Sequence, residues 1–149
     1  MEPVPPDEGS PRPERRRVET TVALDGESGC IAGARELTGD FLTSVQRDHG
    51  VPVSARTMDL SQLVVSELVT NALRHAPGPV LLHLRIAGAA VEIAVWDSEP
   101  ALPVPREADP TRVGQHGLEI VMAVAQDVAV VPEPVGKRIV ARLGLLDGP

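Results

Sequence analysis

The chain has 149 residues, 42% of them hydrophobic, with one Phe, one Trp, no Tyr and a formal net charge of −7. That length fits one domain with an aliphatic core, and the negative balance excludes direct nucleic-acid binding through a broad positive field. The single cysteine, Cys30, excludes an internal disulfide and a cysteine metal cluster, and the longest apolar runs fall well short of the ~18 residues of a membrane span. The opening MEPVPPDEGS lacks the apolar stretch of a secretory signal, so a soluble cytoplasmic protein with no membrane partner is expected.

Residues 1–17 are rich in Pro, Glu and Arg and carry almost no large apolar groups. They cannot bury enough surface to offset ordering entropy and read as a disordered tail ahead of a folded domain over 18–146. Val18 to Leu24 reads as a first strand. Ile31, Ala34, Leu37, Phe41 and Val45 recur at helical spacing, which predicts a helix from about Ser28 to His49, ended by Gly50-Val51-Pro52. A second helix is predicted from about Thr57 to His75. Its stripe of Leu60, Leu63, Val64, Leu68 and Ala72 is widened by Val65, Val69 and Leu73, so most of it is buried. Ala76-Pro77-Gly78-Pro79 stops it.

Two alternating strands follow, Val80 to Ile86 and Val91 to Asp97, with Gly88 as the turn. From 98 to about 114 the chain carries Pro100, Pro103, Pro105 and Pro110, and a loop this long in a compact domain reads as a lid or binding loop. A third helix is predicted from Gly117 to about Gln126. Closing strands at Val128–Val131 and Ile139–Leu143 are joined across Gly136. The order strand, two helices, two strands, helix, two strands predicts an α+β fold: a two-layer sandwich of a mixed, mostly antiparallel sheet with three main helices on one face.

Three places break the apolar pattern. Glu67 and Asn71, four residues apart, share one face of the second helix, and His75 lies one turn further along. Asn71 offers a neutral carbonyl oxygen, a hard ligand suited to Mg²⁺, and Glu67 is a candidate general base. The same spacing also fits a polar stripe facing solvent at a helix edge. Asp97 falls in phase with Val91, Ile93 and Val95 on the apolar face of its strand, where a carboxylate can accept from an amino group; an Asp-Ser turn opening the next loop explains it equally well. Gly114, Gln115, His116, Gly117 and Leu118 form a turn opening onto a helix, where free N–H groups and the positive dipole end suit phosphate; an ordinary loop-to-helix turn is the plainer explanation. No Gly-Lys-Ser/Thr loop is present, which excludes a Walker-type site.

The run Ser66-Glu67-Leu68-Val69-Thr70-Asn71-Ala72-Leu73-Arg74-His75-Ala76 resembles the signature helix of the anti-sigma regulatory factor family, serine-protein kinases of the histidine-kinase-like ATPase superfamily with its Bergerat fold. Val95-Trp96-Asp97-Ser98 looks like that family's adenine-reading strand end, and Gln115 to Val121 like its phosphate-binding turn and helix. Gly136-Lys137-Arg138-Ile139-Val140 resembles its final hairpin strand. The resemblance implies ATP and Mg²⁺ as cofactors. It implies that Asn71 ligates the metal, that Glu67 is the catalytic base and that Asp97 bonds the adenine amine. It places His75, Gly114, Gln115, His116, Gly117, Leu118 and Lys137 around the nucleotide, with residues 98–116 as lid. It also implies a sigma factor and an anti-sigma antagonist as partners, and a homodimer. Two stretches depart from the family pattern: Ser98-Glu99-Pro100 where glycines are frequent, and Gln115-His116 where Gly and Arg are frequent. Gln115 does not take positive φ as cheaply as Gly, and His116 is a weaker, pH-dependent phosphate partner than Arg. A non-catalytic module of the same fold, in which nucleotide only orders a partner surface, is the alternative.

Overall fold

The computed structural model describes residues 18–27, 29–75, 79–99 and 117–146. In chain order they form β1 (Val18–Leu24), α1 (Cys30–His49), α2 (Ala55–His75), β2 (Val80–Ala87), β3 (Ala90–Asp97), α3 (Gly117–Val124), β4 (Asp127–Pro132) and β5 (Lys137–Gly144). The sheet runs β1-β2-β3-β5-β4, and each neighbouring pair is antiparallel. This is the expected α+β sandwich. The tail over 1–17, and the expected lid from residue 100 to 116 with Gly114, Gln115 and His116, lie outside the described residues. Among those described, no helix is long and apolar enough to cross a membrane.

Strand alternation decides which side the helices cover. Val80, Leu82 and Leu84 of β2, Val91, Ile93 and Val95 of β3, and Ile139, Ala141 and Leu143 of β5 are buried on one face. Against them pack Val64, Val65, Leu68, Val69 and Ala72 of α2, with Phe41, Leu42 and Val45 of α1 and Val121 of α3 in the same core. The opposite face carries a row of alternating charge in strand register: Glu19, Arg85, Glu92, Arg142 and Asp127. Glu92 accepts from Arg85 and, at 3.0 Å, from Arg142. The Arg85 hydrogen bond, more than the charges around it, holds the Glu92 carboxyl below the usual carboxylate range.

Most boundaries shift by one or two residues from the sequence expectation, and three of the shifts have a hydrogen-bonding reason. Helix α2 begins two residues early because Ser54 caps it: the Thr57 N–H donates to Ser54 Oγ at 3.0 Å. Helix α3 stops at Val124, and the Gln126 N–H already donates to Arg142 O at 2.8 Å, joining the closing hairpin. Strand β5 starts at Lys137 because that residue pairs in register with Asp97 on one side and Pro132 on the other.

The two ends of α2 are fixed relative to the sheet. At its start, the Ser54 N–H donates to Leu145 O at 2.8 Å, and the Thr57 hydroxyl to Gly144 O at 2.6 Å. Gly144 pairs with Ala90, so α2 begins where β3 begins. At ~1.5 Å per helical residue Asn71 lies about 24 Å along α2. At ~3.3 Å per strand residue Asp97 lies about 23 Å along β3. The far end agrees: Leu73 lies against Gly26, just beyond Leu24, and the ladder Leu24–Val80, Leu81–Trp96 marks the same edge. The second half of α2 therefore reaches the end of the sheet where Asp97 stands.

Candidate nucleotide site

Glu67 and Asn71 are half-buried, one turn apart on α2, beside the fully buried Leu68 and Ala72. The Glu67 carboxylate lies against the first residue of α3. A Cβ placed on Gly117 would sit 2.8 Å from Glu67 Oε1 and 3.7 Å from the Glu67 carbonyl oxygen. A side chain at this position would have to displace the Glu67 carboxylate from the helix start. The start of α3, with its positive dipole end, is thereby held beside the polar face of α2. Leu118 packs its side chain onto the core behind that turn. His75 is the last residue of α2.

Asp97 ends β3 on the helix-covered face, as its phase predicts, and is 1% exposed. The turn at Asp97 is present, and a buried ion pair is added to it. Lys137, 2% exposed, stands opposite it in the β3–β5 ladder, and its Nζ donates to Asp97 Oδ1 at 3.0 Å and Oδ2 at 3.1 Å. The Glu99 N–H donates to Oδ1 at 2.8 Å. Two further contacts fix this corner. The Trp96 indole Nε1–H donates to Val135 O at 2.8 Å, tying the β4–β5 turn to the end of β3. Gly136 has φ +79°, and a Cβ there would lie 1.9 Å from Asp97 O.

Sequence reasoning placed Lys137 near nucleotide but missed its partner. The signal was present: Lys137 is in phase with the buried Ile139, Ala141 and Leu143, so a charge on that face needs an opposite charge across the ladder. The structure thus gathers Glu67, Asn71, Gly117, Asp97 and Lys137 at one end of the sheet. Gly114, Gln115 and His116 lie outside the described residues.

The residues present fit a metal-bound nucleotide. A buried carboxylate suits an amino-purine, a helix start suits phosphate, and an amide oxygen suits a hard cation that takes most of its other ligands from phosphate and water. No group of three His, Cys, Asp or Glu assembles among the described residues. A cation here would rest on Asn71 and on the ligand's own oxygens.

Of two similar solved structures, the first shows the same fold. The RsbU and RsbW domains of Rv1364c from Mycobacterium tuberculosis match with a TM-score of 0.62 at 15% identity, over 85% of this chain and 32% of that one. The histidine kinase domain of the Erythrobacter litoralis EL346 blue-light activated histidine kinase matches with a TM-score of 0.46 at 19% identity, over 75% of this chain and 61% of that one. This chain thus spans about a third of the first and under two thirds of the second. Among curated proteins none matches. The family model described as histidine kinase-like ATPase domain matches residues 33–143, the span that holds α2, Asp97, α3 and Lys137. The chain therefore belongs to the histidine kinase-like ATPase domain family, and ATP is the ligand that membership implies.

Proposed function

We propose that the chain is a Mg²⁺-ATP-dependent serine/threonine kinase of the anti-sigma type, which phosphorylates an anti-sigma antagonist and sequesters a sigma factor. The observation that carries the reading is the Glu67 carboxylate set against the start of α3 on the same helix face as Asn71. The likeness of Ser66 to Ala76 to the anti-sigma signature helix supports the partner class, as does the RsbW domain in the matched structure. In this reading Asp97 accepts from the adenine amine, and the Asn71 amide oxygen holds the metal. The N–H groups opening α3 receive phosphate oxygens. Bound Mg²⁺-ATP supplies the γ-phosphoryl group and the charge neutralisation its transfer needs. Glu67 takes up the proton that an incoming serine or threonine hydroxyl releases.

The departures at Ser98-Glu99-Pro100 and Gln115-His116 favour a second reading, a nucleotide-gated binding module without transfer. Labelled phosphate transfer from ATP to antagonist proteins separates the two. Glu67→Ala is expected to bind ATP within about threefold of wild type while transfer falls about 100-fold or more. A fully active Glu67→Ala removes Glu67 from the chemistry. Tight ATP binding by the wild-type chain without transfer to any antagonist supports the gated module.

A further inference from the structure

Asp97 and Lys137 are oppositely charged side chains buried together at the last rung of the β3–β5 ladder. The next rungs inward on the same face, Val95–Ile139 and Ile93–Ala141, are apolar. An apolar pair at the last rung would continue that core without desolvating two charges. The ion pair therefore calls for a directional role, and its hydrogen bonds show one. An ionised carboxylate has about four acceptor sites. Lys137 Nζ occupies one on each oxygen, and the Glu99 N–H a second on Oδ1. Among the described residues one acceptor site is left, on Oδ2, inside a buried corner where an unfilled acceptor costs free energy.

We propose that Lys137 is a specificity-positioning residue: by filling the inner acceptor sites of Asp97 it leaves one Oδ2 site that selects a 6-amino over a 6-oxo purine. The inference rests on the reading of this corner as the base-binding end of the ATP site. An exocyclic amine donates to that remaining site. A 6-oxo group sets an acceptor against an acceptor, which a water-excluded site rejects strongly. Lys137 touches only Asp97 in this scheme and acts on the purine through it. Without its ammonium the carboxylate keeps, among the described residues, one hydrogen bond, to Glu99, and turns more freely about its own torsions.

The test is the ratio of affinities for ATP and inosine triphosphate, measured by calorimetry on wild type, Lys137→Gln and Lys137→Arg. Only folded molecules bind either nucleotide, so loss of stability lowers both apparent affinities by the same factor and cancels in the ratio. Wild type is expected to prefer ATP by about 100-fold or more. Lys137→Gln is expected to lower that preference at least ~10-fold, and Lys137→Arg, which returns a cation to the carboxylate, to keep most of it. If Lys137→Gln is unfolded in buffer, the titrations of all three proteins are run in an osmolyte that restores its circular dichroism. A Lys137→Gln ratio equal to that of wild type overturns the proposal and leaves Lys137 a purely structural partner. Wild type that binds neither nucleotide overturns the ATP reading as well, so the two failures are distinguishable.

Discussion

Asp97→Ala is expected to lose about 3–5 kcal/mol of unfolding free energy, far more than a strand-end aspartate normally contributes. The loss comes from Lys137, whose ammonium stays buried after its charged partner is removed. Adding Lys137→Met to Asp97→Ala should return most of that stability, because an apolar pair at this rung extends the Val95–Ile139 packing. Urea unfolding of the single and double variants checks both halves. A loss below about 1 kcal/mol for Asp97→Ala would mean that the ammonium finds water. A double variant no more stable than the single one would mean that the cost lies elsewhere in the corner.

The second large effect belongs to Gly136. Its φ of +79° lies in the left-handed region, and a Cβ there would meet the Asp97 carbonyl oxygen at 1.9 Å and Ser98 Cα at 2.9 Å. Both obstacles are backbone, so no rotamer relieves them. Gly136→Ala is expected to cost about 3 kcal/mol or more, the sum of left-handed strain and a forced shift of the hairpin. Gly88 is the control: its φ is +62°, but nothing lies within 4 Å of an added Cβ. Gly88→Ala should cost only the strain, about 1–2 kcal/mol. Thermal unfolding of the two variants separates strain from close approach, and equal losses would contradict the contact. Gly136→Ala should also weaken ATP binding, because the shifted hairpin carries Lys137 away from Asp97.

The layout of the fold was legible because local period and burial agree. Val18 to Leu24 alternates as an edge strand, and α2 carries too wide an apolar stripe to be anything but a buried helix. Asp97 stood out because it lies in phase with Val91, Ile93 and Val95, but an Asp-Ser turn explained that phase equally well until the structure buried it. What escaped depends on contacts across sequence. Ser54 lies ahead of the expected helix start at Thr57, and the bond network of this cap reaches Gly144 and Leu145 at the other end of the chain. Lys137 and Asp97 lie 40 residues apart, and only the β3–β5 register joins them. The place of Glu67 against Gly117 was equally invisible, since spacing along α2 says nothing about which helix start faces it. Recognition of the signature helix supplied a role for Glu67; the packing supplies its position.

That recognition and this packing meet in one claim, that the polar face of α2 holds a metal-bound nucleotide through Asn71. Calorimetric titration of ATP with and without Mg²⁺, on wild type and Asn71→Ala, tests it most directly. The account predicts Mg²⁺-dependent binding by wild type and at least ~10-fold weaker binding by the variant, whose fold is unchanged. No binding by wild type at millimolar ATP, or equal affinity in Asn71→Ala, would contradict it.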